Sequence, residues 1–590
     1  MKRIIVFWAF ALLSASALMA GPVSRQKALD VAKVVLMEDP TALDIQEADG
    51  LYVVNRRSGG FVLVSANDNT RPVLGFSLEN SFPMDRADMP ANVRRWLDYI
   101  RGYCRSEAVA TKEVEQEWAE YAEYAVTKAL PMASITDEFK GSRSVEWNQS
   151  APANLLCPQI PGEADRSVAG CVPLAFAEVL TWFGYPEKGK GDLPSYSFTL
   201  NGNNIEMEGY SLGTVYDWAG LQQLKTPTQF YECQDPVRSN LAQLVYDCGF
   251  ILQAEYSYSG TAATDYGASA LFGQYMGYNK EARLISLDEY IRAEWEEILE
   301  SQVAQHPVIY SGFDGDSGHC YLVDGYATYK QTDRVFHFNF GWGGYGNGYY
   351  YAQYQDSGNG NWGEGLSALI DFYPDPQGTS VSPKELSYTS GGSYTGIRLE
   401  GGQLKPGSSC SVSIRFVMNS GDVDFDGHLY AVLEDRNGQM KERYLIYDFS
   451  ANPLPPGYYY TKLSGTCELS SGLSLGLGDH LRAYYSTDGG VTMQPVSGRL
   501  YTLPFLDEYP VFPAANILKE SSYSVGDWFK FILINTDYIY DTTVWTITDP
   551  SGKSSEYQQA EGCVRLTQEG EYKIVAKTPY ESITAYIVVQ

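Results

Sequence analysis

The sequence predicts an α+β protein whose last third is all β and built as two sandwich units. Three observations carry that expectation. Before residue 375, apolar residues recur at helical spacing in several windows, alternating with short apolar runs of strand length. After Pro374 and Pro376 the helical spacing stops, and short β runs separated by Gly, Asn, Asp and Pro turns take over. The length of 590 residues suits about three to five domains of roughly 100–200 residues each.

Residues 1–20 read as a targeting segment. Lys2 and Arg3 give a basic start, residues 4–20 are apolar or small, and Ala15, Ala17 and Ala20 offer cleavage positions. Gly21-Pro22 breaks the helix and no basic stop-transfer cluster follows. A cleaved signal is therefore expected rather than an anchor, with no membrane span left afterwards.

Residues 21–140 are expected to form one small α+β unit. After Ser24, the residues Ala28, Leu29, Val31, Ala32, Val35 and Leu36 make a helical stripe. Runs at 51–54 and 61–64 read as strands of a hairpin joined through Ser58-Gly59-Gly60. Val93, Trp96, Leu97 and Ile100 suggest a second helix, and the Glu-, Lys- and Ala-rich residues 105–128 an exposed helix or linker. Residues 141–375 mix helices and strands. Strands are expected near 411–416, 428–433, 444–447 and 480–485 in one sandwich (376–510). In the second (511–590) they are expected near 528–533, 543–547, 571–576 and 584–589.

Charge and scarce residues narrow the function. Lys and Arg total 43 against 72 Asp and Glu, a net charge of −29, and no Lys/Arg-rich run occurs. Phosphate binding needs a basic face, so nucleic acid is excluded as a partner. Nine widely spaced Cys make neither a disulfide framework nor zinc pairs, and no EF-hand or HExxH run appears. No metal or cofactor is expected. An odd Cys count in an exported chain leaves at least one free thiol. Cys410 and Cys467 could bridge two strands or be buried thiols, and both readings stay open.

The most informative stretch begins at Gly170-Cys171. Pro173 suits a first helical turn, Ala175, Phe176, Val179, Leu180 and Phe183 form a buried face, and Gly184 and Pro186 stop the helix. Cys171 thus sits where free backbone N–H groups and the positive end of the helix dipole favour a thiolate. Of five His, His319 opens an apolar strand after a Gly/Asp/Ser loop. A second strand holding Asn339 follows. If the hairpin is symmetric about Tyr329, Asn339 lies opposite His319 and could accept its N–H, a Cys–His–Asn arrangement. An oxyanion would need the Cys171 N–H and a side-chain amide, and upstream both Asn148 and Gln149 offer one, a choice the residues alone leave open.

These motifs resemble the streptopain family of papain-like bacterial cysteine peptidases. The resemblance rests on Trp147/Gln149, Cys157-Pro158, Gly170-Cys171, Tyr185-Pro186, Tyr216-Asp217-Trp218, Asp247-Cys248-Gly249, Gly318-His319, Asp324-Gly325-Tyr326 and Asn339 through Gly344, in that order across about 141–375. Residues 60–65 and 73–77 are similar to the family's propeptide. The resemblance implies a papain-like domain behind an inhibitory prodomain; the two Ig-like sandwiches after it are read from the β pattern of the tail. It implies Cys171 as nucleophile, His319 as general base and acid, Asn339 as orienter and Gln149 as oxyanion donor. Trp342, Phe340 and Gly318 would line the substrate cleft. Phe340 replaces a family Trp, which puts pocket shape in question. Cys320, on the opposite strand face from His319, reads as core.

The expected function is a cysteine endopeptidase made as a zymogen. It would be secreted or held at the cell surface or periplasm of a bacterium. Its partners would be protein or peptide substrates and its own prodomain as intramolecular inhibitor, and the resemblance implies an apolar residue at P2. Activation cleavage is expected between about Lys128 and Val145, because prodomains leave through exposed linkers. The alternatives are another Cys–His hydrolase or acyltransferase, such as a peptidoglycan amidase or transglutaminase, and a non-catalytic surface binding protein.

Overall fold

The computed structural model describes residues 21–590 except 49, 85–103, 105–111, 128–134, 142, 291, 314–317, 331–332, 353–365, 390–394, 436, 476–478, 499–504, 512–515, 518, 520–522, 535–542, 560 and 578–581. The expected signal, the expected helix over 93–100 and part of the expected cleavage window lie outside the described residues. No described helix is long and apolar enough to cross a membrane.

Helix α1 (Arg25–Leu36) starts where the Ser24 hydroxyl accepts the Lys27 N–H, satisfying one orphan donor of the first turn. Its apolar stripe buries Ala28, Val31, Ala32, Val35 and Leu36, while Leu29 is only half-buried. It covers an antiparallel meander of β1 (Leu43–Ala48), β2 (Leu51–Arg56), β3 (Phe61–Ser65) and β4 (Val73–Ser77), in which β2 and β3 form the expected hairpin. Helix α2 (Lys112–Thr127) differs from the exposed helix expected there. Trp118 and Tyr121 are buried beside α1, and the Trp118 indole donates to the Thr70 carbonyl at 2.8 Å. The Glu/Lys richness lies on its outer face and hides two aromatic anchors on the inner one.

Strand β5 (Ile135–Lys140) follows, then helix α3 (Cys171–Phe183). Gly184 takes the left-handed C-cap, its N–H bonded to the Leu180 carbonyl at 2.9 Å. Two small ladders come next, β6 (Asp192–Leu193) with β9 (Tyr210–Ser211) and β7 (Tyr196–Leu200) with β8 (Asn203–Met207). Helices α4 (Val237–Ile251) and α5 (Ala268–Met276), strand β10 (Arg283–Ser286) and helix α6 (Arg292–Val303) lead into β11 (Val308–Phe313), β12 (Gly318–Tyr329), β13 (Asp333–Asn339), β14 (Gly348–Tyr350) and β15 (Ser367–Ile370).

All these larger strands join one antiparallel sheet. Its order is β1-β2-β3-β4-β14-β13-β12-β11-β15-β10, with β5 added beside the second half of β12. The N-terminal unit is therefore not a bead on a string. β4 pairs with β14, so its meander extends the sheet of the following domain. One core lies under α3 and α4, and another spans both units, joining Leu51, Phe61 and Leu63 to Phe338, Phe340 and Trp342.

A second inter-unit contact is ionic and buried. Glu117 of α2 accepts from Lys330 at 2.6 Å and from Arg71 at 3.0 Å, while Arg71 also reaches Asp333 at 2.6 Å. Beside it the Tyr121 and Tyr329 hydroxyls hydrogen-bond.

The tail is two β sandwiches, each with its own core. In the first, Cys410 and Cys467 stand opposite each other on paired strands as free thiols in hydrogen-bond contact.

Candidate active site

Cys171 is the first residue of α3. Gly170 before it has φ +95°, and a Cβ there would sit 3.0 Å from the Thr261 methyl, so both backbone and space require glycine. The Cys171 thiol is partly exposed and lies in hydrogen-bond reach of the N–H groups of Cys320, Val172 and Cys171 itself, which favour a thiolate. Burial outweighs them and pushes the thiol up from its ordinary value, with the nearby Asp265 carboxyl acting the same way. The N–H groups at the helix start thus act on the thiol in the expected sense, and burial acts against them.

His319 enters from β12. It pairs with Gly312 of β11, and the next residue, Cys320, pairs with Ser311 and turns its N–H to the Cys171 thiol. Alternation puts the Cys320 side chain in the core under α3, as expected. The His319 ring is buried and stacks on Trp342 at 5.0 Å and Tyr321 at 5.3 Å between centroids. Burial holds the imidazole down at about 3, while the Phe340 carbonyl, accepting a ring N–H, pulls the other way.

The hairpin register differs from the symmetric one. Asn339 pairs with Leu322, not His319, because the ladder closes with Tyr329 opposite Asp333, so the turn lies beyond Tyr329; the irregularity between Val323 and Gly325 changes the partner by only one residue. The Asn339 oxygen accepts from the Gly341 N–H at 3.2 Å and from Asn347 Nδ2 at 3.0 Å, which uses both its lone pairs. Its amide donates to the Val145 carbonyl at 2.7 Å and to Glu178 at 3.2 Å. The acceptor facing the imidazole is therefore the Phe340 main chain, and Asn339 acts on the loop. Asn347 completes the arrangement by accepting the Phe340 N–H at 3.0 Å.

Gln149 lies on a segment stitched on both sides. The Trp147 carbonyl accepts from Gly343 at 2.7 Å, Asn148 bridges to Trp342, and the Gln149 carbonyl accepts from Ala169 at 2.8 Å. This ties Gln149 to the Trp342 loop and to the residues just before Cys171. Gly318 is exposed at the start of β12, but Phe340 and Trp342 are buried and stacked at 4.5 Å, so neither is an open cleft wall in this form. The reason is the N-terminal unit. Phe82 and Met84 pack in the same cluster, the Ser81 carbonyl accepts from Gly346 at 3.1 Å, and Asn80 donates to Glu146 at 3.2 Å.

Glu178 was not singled out from sequence. It lies two turns after Cys171 on α3, accepts the Trp147 N–H at 3.2 Å, and is held well above the carboxylate range by burial. One signal existed: a lone carboxylate seven residues after the Cys, on the same helix face. Asn347, inside a glycine-rich turn, gave none. Among the described residues no group of His, Cys, Asp and Glu has the arrangement of a metal site.

Residues 147–350 match the Peptidase C10 family, and residues 20–104 match the Spi protease inhibitor family. The chain is 29% identical over 387 residues to the thiol protease/hemagglutinin PrtT of Porphyromonas gingivalis, covering 62% of this chain and 42% of that protein. It thus spans about two-fifths of the length of that relative. It is 27% identical over 315 residues to streptopain of Streptococcus pyogenes, covering 51% of this chain and 73% of streptopain. A fragment of prointerpain A from Prevotella intermedia aligns with a TM-score of 0.41 at 23% identity, over 57% of this chain and all of that one.

Proposed function

Because residues 147–350 belong to the Peptidase C10 family and residues 20–104 to the Spi protease inhibitors, we propose that the protein is a cysteine endopeptidase made as a zymogen. The observation that carries the reading is the seating of the Cys171 thiol against the Cys320 N–H, on the strand that bears His319. In this mechanism the Cys171 thiol passes its proton to His319 as its sulfur attacks the scissile carbonyl carbon and a C–S bond forms. The oxyanion takes hydrogen bonds from the Cys171 N–H and the Gln149 amide. His319 protonates the departing amine as the C–N bond breaks. It then removes a proton from water, which cleaves the thioester and frees the sulfur. Asn339 and Asn347 act by fixing the Phe340 carbonyl that orients the imidazole.

The N-terminal unit is the inhibitor in this reading. It buries Phe340 and Trp342, and the neutral thiol–imidazole pair suits a resting precursor. An apolar P2 preference and export through a cleaved signal belong to the same proposal. The decisive variant is Cys171→Ala, assayed for processing of its own precursor and for casein cleavage. Loss of both is expected, and wild-type activity in either assay would overturn the assignment.

A further inference from the structure

The first β sandwich touches the catalytic domain at one place that matters to the site. Residues 257–267 form a loop that borders Cys171 on two sides. Thr261 packs on Gly170 and donates to the Val168 carbonyl at 2.6 Å. Asp265 accepts from the Ser311 hydroxyl at 2.6 Å, and Ser311 is the strand partner of Cys320. The loop ends at Gly267, where α5 begins with no capping side chain of its own.

The sandwich reaches this helix start. The buried Asp422 carboxylate accepts from the Ser269 hydroxyl on α5 and from the N–H of Gly267 just before it. A second clamp lies beside it. Gly457 has φ +74°, and a Cβ there would stand 2.5 Å from the Tyr266 ring, so the sandwich backbone lies directly on that ring. One buried residue ties both clamps. The Asn419 side chain accepts from the Gly421 N–H at 2.9 Å and donates to the Val423 and Leu454 carbonyls at 2.8 and 2.7 Å, while its main-chain carbonyl accepts from the Gly457 N–H at 2.9 Å.

We propose that this sandwich is a working part of the catalytic site: Asp422 is a positioning residue that ties the start of α5 from another domain and holds the Thr261–Asp265 loop beside Cys171. The effect falls on substrate binding more than on chemistry, because the clamped residues border the nucleophile without supplying a reacting group. The inference rests on the peptidase reading, and its test separates the two.

The experiment uses the full-length chain and its processed form, with Asp422→Ala, Asp422→Asn and Gly457→Ala. Peptide hydrolysis and amide hydrogen exchange are measured on the same preparations. Both Ala variants should raise KM by about fivefold or more with kcat nearly unchanged, and Asn, whose amide oxygen still accepts from Ser269 and Gly267, should restore KM. Exchange should rise in 260–269 and not in the sandwich core strands. Wild-type KM and wild-type exchange in both Ala variants overturn the inference. A fall in kcat matching the loss of folded protein also overturns it, since that marks a purely structural contact. If the processed wild type cleaves no peptide, the peptidase reading fails, and the exchange data alone decide whether the clamp exists.

Discussion

At the scale of single residues the site is governed by burial. His319 is held at about 3 and the Cys171 thiol above its ordinary value, so the resting pair is uncharged. Alkylation of Cys171 in the precursor should therefore be slow at neutral pH and accelerate only into the alkaline range. Processed enzyme should react faster at pH 7, and equal rates in the two forms would contradict this. The same burial sets a stability slope. The native imidazole sits at about 3 and the free one at 6.5, so the unfolded chain carries the extra proton between those values. Stability from His319 is lost as pH falls from 6.5 toward 3. Denaturant unfolding of His319→Gln across that window should show a shallower loss than wild type. Because the acceptor facing His319 is a main-chain carbonyl, Phe340→Leu should keep kcat within about threefold while altering KM. A hundredfold fall in kcat would assign the orienting role to the ring.

At the scale of elements, β5 and α2 decide how the precursor opens. The expected cleavage window ran to Val145, but β5 is paired with β12, and a cut inside it would strip a strand from the sheet. The activating cut should therefore fall before Ile135, after α2, which belongs to the N-terminal core. N-terminal sequencing of the mature form checks this, and a start within or beyond β5 refutes it. Glu117 on α2 neutralises two buried cations. Glu117→Ala removes the carboxylate that Lys330 and Arg71 share, leaving Arg71 its pair with Asp333, at a cost of roughly 3 kcal/mol, and precursor processing should speed up. Unchanged processing kinetics would mean the ion network does not restrain the N-terminal unit.

At the scale of the whole molecule, the units share cores and sheets. Ala327, Tyr329, Val335, Tyr349 and Tyr351 are buried in one cluster with α1, β4 and α2. Release of the N-terminal unit should uncover this face, so binding of an apolar dye should rise on activation. No rise would mean that the cleaved unit stays bound. The sandwiches were readable as β units from turn chemistry, but the contact of one with the loop beside Cys171 was not. It is made by Asp422, Gly457 and Asn419, three ordinary turn residues whose meaning depends on what lies across the domain boundary.

Local pattern alone determined the start of α3 at Cys171, the strand that carries His319, the N-terminal hairpin and the change to β structure after residue 375. Each follows from periodicity and from Gly or Pro stops that act over a few residues. The resemblance to a known family rested on motifs legible in the same way. The tertiary structure decided which acceptor meets His319, because the β12–β13 ladder closes with Tyr329 opposite Asp333 and so sets Asn339 beside Leu322. It also decided the burial of α2, the role of Glu178 and the protonation of the site. Register shifts, burial and long-range partners are sums over residues far apart in the chain, and no local window contains them.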